Sequence, residues 1–134
     1  MKSVTIADYM TKHLVTFRPE DSVFYAMDVF LDRNISGAPV VNDRGELVGV
    51  LSEVDVMQVV IQGSYYDETE GIIADYMKSP VDTVAPDLDI YSLAERFVKE
   101  HRRRFPVVRD GKLVGQISRR DVLRAMREFV VRDT

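Results

Sequence analysis

The sequence predicts an α/β (α+β) protein of two tandem β-α-β-β-α repeats, packed sheet to sheet with pseudo-twofold symmetry. Three observations carry this. IADYM at Ile6–Met10 recurs unchanged at Ile73–Met77. Matches then run the length of both copies: Thr16 with Thr83, Pro19 with Pro86, Phe30 with Phe97, and Pro39-Val40-Val41 with Pro106-Val107-Val108. After one gap near Arg44, the stretch Gly49–Val56 (GVLSEVDV) is echoed by Gly115–Val122 (GQISRRDV). Internal repetition of this kind makes each copy one structural unit. A lone copy has a small sheet with an apolar face it cannot cover by itself.

Each element follows in order. LVTF, Leu14–Phe17, reads as a short strand closed by Pro19. Asp21 or Ser22 caps a helix in which Val23, Ala26, Met27, Phe30 and Leu31 recur along one face. Ser36-Gly37 ends it. APVV, the turn Asn42-Asp43-Arg44-Gly45, and LVGVL read as strand, turn and strand. Ser52 opens a second helix, with Val56, Val59 and Val60 expected to face inward. The second copy repeats the order: VDTV, a helix from about Ile90 to Glu100, FPVV, a turn at Asp110-Gly111, LVGQI, and a helix from Ser118 to about Val130. The expected repeats are 1–62 and 73–134, joined by a connector at 63–72 that contains Gly63, Tyr65 and Tyr66.

Composition narrows the function classes. The chain has 134 residues, 46% hydrophobic and 30% charged, which suits a compact soluble fold. It has no cysteine, so disulfide and thiolate chemistry are excluded. No apolar run approaches a membrane span, and the first ten residues lack the apolar core of a secretory signal. A cytoplasmic protein with no membrane partner is expected. His13 and His101 fall at different repeat positions, and neither has ligand spacing, so no metal site is expected. Met1–Ile72 holds 5 basic and 12 acidic residues, a net −7; Ile73–Thr134 holds 13 and 10, a net +3. The basic half suits an anion.

The repeated S-x-x-D has two readings. One is a capping box: Ser52 and Ser118 cap their helices while Asp55 and Asp121 reach back to a main-chain amide. The other uses the same geometry for a ligand. Free amides at a helix start suit phosphate. A carboxylate one turn in suits the two hydroxyls of a ribose. Gly49 and Gly115, three residues upstream, would let a flat ligand approach the strand. Ribose beside phosphate means a nucleotide.

Two copies of a unit ending in P-V-V-x-D-x-G-x-L-V-G-x-h-S-x-x-D resemble a tandem cystathionine-beta-synthase (CBS) domain pair, or Bateman module. The resemblance covers about Thr5 to Met126, and every block appears twice in order. It implies a stand-alone regulatory module with up to two clefts for adenosyl ligands such as AMP, ADP, ATP or S-adenosylmethionine. It also implies a flat homodimer that signals by conformational change to an effector protein. Carried over by position, it implies one cleft with Ser118, Arg119, Arg120 and Asp121 against Met10, Val15, Ile35 and Ser36. The other would join Ser52 and Asp55 to Met77, Asp82, Arg102 and Arg103. Backbone beside Ala38 and Phe105 would meet the adenine edge. Asp82 departs from the pattern, since Val15 stands there in the first copy. A carboxylate beside a phosphate needs an arginine partner, so the cleft with Asp121 is favoured.

No catalytic role or catalytic cofactor is expected. G-x-G-x-x-G and P-loop motifs are absent, and both serines already have a capping role. The alternatives are a structural, partner-binding subunit that has lost its ligand and, ranked lower, a nucleic-acid-binding protein using the arginine-rich half. Against the latter, the chain is acidic overall and shows no helix-turn-helix or aromatic platform.

Overall fold

The computed structural model of the chain describes residues 4–66 and 71–130. It contains four helices in the described residues: α1 Val23–Arg33, α2 Glu53–Tyr66, α3 Ile90–Glu100 and α4 Arg119–Val130. Four strands form two antiparallel pairs. β1 Gly37–Val41 pairs with β2 Leu47–Ser52, and β3 Arg104–Arg109 pairs with β4 Lys112–Ser118.

The helices begin where the capping residues stand. Ser22 Oγ accepts from Phe24 N–H at 3.1 Å, and Asp89 accepts from Ser92 N–H at 3.2 Å. Both helices end in the left-handed region, at Asn34 (φ 56°) and His101 (φ 53°). The β3–β4 hairpin turns on Asp110 and Gly111, both at positive φ (52° and 80°). That demand for left-handed backbone suits an Asp-Gly pair.

The two expected leading strands shrink to single parallel bridges, Phe17 with Val40 and Val84 with Val107. Phe17 N–H donates to Pro39 O, and Phe17 O accepts from Val41 N–H. The next rung would need the amide of residue 19, which is proline and has none. Pro86 stops the second ladder in the same way. Two helix-face expectations also change. Leu31 is 74% exposed and Val60 38%, whereas Val56 and Val59 are buried. α2 runs through Tyr66, so residues 63–66 of the expected connector are helical; residues 67–70 lie outside the described residues.

The chain divides into two compact units whose limits differ from the repeat limits: Val15–Val81, and Met1–Leu14 with Asp82–Thr134. The IADYM segments explain the offset. Each forms a 3-10 turn, Ile6–Asp8 or Ile73–Asp75, whose isoleucine is fully buried. Ile73 lies in the core built by Phe17, Val23, Phe30, Val40 and Leu51. Lys78 then exchanges two backbone hydrogen bonds with Val50 on β2. Ile6 lies in the core of Ile90, Leu93, Phe105, Val107 and Ile117, and Thr11 exchanges two such bonds with Gln116 on β4. The leading segment of each repeat therefore completes the unit built on the body of the other. The units separate charge more sharply than the halves of the sequence do. Val15–Val81 holds 4 basic and 12 acidic residues, a net −8; the other unit holds 14 and 10, a net +4.

Candidate functional site

In each unit the second strand of the pair runs straight into a helix, and S-x-x-D spans that corner. Ser118 N–H donates to Asp121 Oδ2 at 2.8 Å, and the Ser118 hydroxyl donates to the same oxygen at 3.0 Å. Asp121 N–H returns a bond to Ser118 Oγ at 3.2 Å. Ser52 and Asp55 repeat the set at 2.8, 2.9 and 3.3 Å. Both carboxylates are 3% exposed. The capping-box reading of the motif is thus fulfilled in both copies, and it commits one oxygen of each carboxylate, Oδ2. The other oxygen differs between copies. Arg124, one turn along α4, bonds Asp121 Oδ1. Gln58 stands at the matching place in α2 and brings no charge.

The glycines upstream have a different role from the one expected. A Cβ at Gly115 would stand 2.7 Å from Met10 Sδ and 2.9 Å from Thr11 O. A Cβ at Gly49 would stand 2.4 Å from Met77 Sδ and 3.2 Å from Lys78 O. The methionine that ends each IADYM segment fills the space over its strand glycine. Met10 and Met77 therefore belong to the packing of their corners, and the glycines seat the segment, not a flat ligand.

The remaining site residues fall into two sets. Val15, Ile35, Ser36, Ala38, Ser52, Asp55 and Met77 lie in the acidic unit. There Val15, Val29, Ile35 and Ala38 belong to one apolar cluster, Ala38 deeply buried and the others partly so. Ser36 O accepts from Glu53 N–H at 3.0 Å, which holds the segment before β1 against the start of α2. Met10, Asp82, Arg102, Arg103, Phe105, Ser118, Arg119, Arg120 and Asp121 lie in the basic unit. There Arg103 O accepts from Arg119 N–H at 3.2 Å, so the two arginine runs, 102–104 and 119–120, adjoin one another.

Asp82 has the arginine partners its position requires, and one of them is Arg96, a residue that sequence reasoning missed. Arg96 Nη2 donates to Asp82 Oδ2 at 3.0 Å, while Arg96 Nε and Nη2 hold Glu100 at 2.8 and 3.3 Å. Arg102 lies 3.2 Å from Asp82 Oδ2 and 3.5 Å from Glu100 Oε1. Each guanidinium thus meets both carboxylates, closing a ring of four charges. Both stand over the buried ring of Phe105, at 4.6 Å for Arg96 and 5.2 Å for Arg102. The hydrogen bond to Glu100, offset in part by desolvation and aided by Asp82, raises the Arg96 pKa above its ordinary value. The same bond holds the Glu100 carboxyl below the usual range. The signal in the sequence was a contrast between copies: Arg96 matches Val29, as Asp82 matches Val15.

The family model for the CBS domain matches this chain twice, over residues 6–62 and 73–128. The chain belongs to the CBS-domain family. It is a tandem CBS pair, and solved CBS pairs share its fold. It is 28% identical to CBSX2 solved in complex with AMP, with a TM-score of 0.79 over 93% of this chain and 97% of that one. A putative acetoin utilization protein (AcuB) from Vibrio cholerae is 25% identical, with a TM-score of 0.83 over 98% and 97%. Among sequence relatives, the uncharacterized protein MJ1225 of Methanocaldococcus jannaschii is 31% identical over 90% of this chain. The CBS pair spans 42% of that relative and 14% of the A-adding tRNA nucleotidyltransferase of Aquifex aeolicus, to which it is also 31% identical. Among the described residues no helix is long and apolar enough to cross a membrane.

Proposed function

We propose that this CBS pair is a non-catalytic sensor of an adenosyl ligand, with AMP the first candidate. The observation that carries the reading is the duplicated corner, in which a buried aspartate and a serine sit at the first turn of a helix. Such a turn offers amides and positive potential to phosphate, and the carboxylate accepts from a ribose diol. The AMP held by CBSX2, a 28% identical pair, supports the ligand class. The apolar cluster of Val15, Ile35 and Ala38 has the chemistry for one face of a purine.

Ser118, Arg119, Arg120 and Asp121 are proposed to act with Met10, Val15, Ile35, Ser36 and Ala38 on one ligand. Ser52 and Asp55 are proposed to act with Met77, Asp82, Arg102, Arg103 and Phe105 on another. The methionines serve there by holding the corners. Occupancy changes the balance between arrangements of the pair to the extent that the ligand binds one better. The response passes to an effector protein. Pairing of two chains is part of the proposal, supported by Val54, Met57 and Ile61, which leave α2 more than half exposed along one apolar stripe.

Thermal unfolding with and without AMP, ADP, ATP and S-adenosylmethionine tests the reading. A ligand at 100 times its Kd stabilises the folded chain by ~2.7 kcal/mol. A rise in Tm with one of the four is the expected result; no rise with any would return the chain to a structural, partner-binding role.

A further inference from the structure

The charge ring on the basic unit is unequal in how it holds its two arginines. Arg96 is anchored by three hydrogen bonds, two to Glu100 and one to Asp82. Arg102 has no such hydrogen bonds to the two carboxylates: it meets them as ion contacts at 3.2 and 3.5 Å, lies over the Phe105 ring at 5.2 Å, and has a side chain 42% exposed. Its backbone follows the left-handed cap at His101 and precedes β3, so neither a helix nor a ladder carries it. Half-exposed ion pairs are weakly held. An arginine fork released from one carboxylate is ready for another planar oxyanion.

The matched positions in the acidic unit show what the ring replaces. Val15, Val29, Ile35 and Ala38 stand where Asp82, Arg96, Arg102 and Phe105 stand. One unit offers an apolar wall at this place, and the other offers two cations already answered by two anions.

We propose that Arg102 is a reserve phosphate-binding arm and that Asp82 is its internal competitor, so that Asp82 sets how strongly this unit discriminates a phosphorylated nucleoside from the bare nucleoside. The proposal rests on the adenosyl-ligand reading and adds its selectivity. A phosphate monoester or diphosphate takes Arg102 from Asp82 and Glu100. Arg96 keeps its two bonds to Glu100 and its place over Phe105, so Asp82 is left with one cation. A ligand without phosphate leaves the ring closed. The cost of opening the ring is subtracted from the affinity for the phosphate, which makes Asp82 a brake.

The test measures AMP and adenosine binding to the full chain by calorimetry. Asp82→Asn is expected to tighten AMP about fivefold, the ratio that ~1 kcal/mol of exposed ion pairing supplies, and to tighten adenosine less. Arg102→Gln is expected to weaken AMP and to abolish the gain from Asp82→Asn in the double variant. Equal tightening of both ligands, no change in AMP, or a gain that survives without Arg102 would overturn the brake and leave the sensor reading intact. Should the unaltered chain bind neither compound, AMP is not its ligand, the sensor reading passes to the other three compounds, and inorganic pyrophosphate followed at the Nε–Hε resonance of Arg102 decides the brake separately. A shift that is larger in Asp82→Asn supports it, and no shift in either chain refutes it.

Discussion

The acidic and basic units share one backbone and differ in what they show. Each has a helix closed by a left-handed residue, a strand pair, and a serine–aspartate corner opening the next helix. On that common frame one unit carries Val15, Val29, Ile35 and Ala38, while the other carries Asp82, Arg96, Arg102 and Phe105. The second helices diverge as well. α2 exposes Val54, Met57 and Ile61, whereas α4 places Arg120, Arg124 and Arg127 around Leu123. The residues that both copies keep hold the backbone in place. Those that differ change the chemistry at matched positions, so the two proposed sites need not prefer the same ligand.

The comparison breaks most visibly at Phe105. Phe105→Ala gives the basic unit the residue of its counterpart, but removes a ring packed 5.1 Å from that of Phe97. A loss of about 3–5 kcal/mol is expected in denaturant melts. A loss below about 1 kcal/mol would mean the guanidiniums above it hold that surface alone. The strand glycines come next. Gly115→Ala drives a Cβ against a main-chain oxygen at 2.9 Å, while Gly49→Ala meets one at 3.2 Å and otherwise a movable methionine. Overpacking of this kind costs about 1–3 kcal/mol, with Gly115→Ala the worse of the two by thermal melting. Equal costs would show that the methionines, not the carbonyls, set the fit.

Smaller effects sharpen the comparison at the corners. Asp55→Ala and Asp121→Ala each remove a capping carboxylate and should cost about 1 kcal/mol. By calorimetry, Asp121→Ala should weaken AMP at least tenfold, about 1.4 kcal/mol; unchanged affinity would confine the aspartate to capping. The smallest effect is a pH response. Glu100 is held low by Arg96, so its contribution to stability is present above the ordinary carboxylate range and is lost as pH falls through its folded value. Tm measured on acidification through about pH 5 to 3 should fall less steeply in Glu100→Gln. Arg33 occupies the matching position in the acidic unit, which therefore has no such response there.

The helices and the corners were legible because their signals are local. Ser22 caps the helix it precedes, and both S-x-x-D pairs close on themselves. The leading strands were not legible, because LVTF and VDTV have strand composition. What stops them is a missing proline amide, which counts only once a partner strand has been set beside it. The face of α2 was ambiguous because Val54, Val56, Met57, Val59, Val60 and Ile61 leave little polar contrast. The role of the glycines is not legible in a local pattern, because the neighbour of each is a methionine 28 residues away in one unit (Gly49 and Met77) and 105 in the other (Gly115 and Met10). Arg96 is not legible in the repeat because matches between copies mark the residues that agree, and Arg96 differs from Val29.

The crossed use of the IADYM segments has a practical consequence for dissecting the chain. A cut at the repeat boundary leaves each fragment with a displaced plug and an empty socket, because Ile6 and Ile73 would travel with the wrong body. The stretch Val15–Val81, by contrast, is one uninterrupted piece that carries its own plug. The stretch that keeps a core and its plug together straddles two repeats, and a single repeat expressed by itself would have to borrow its missing piece from a neighbouring molecule.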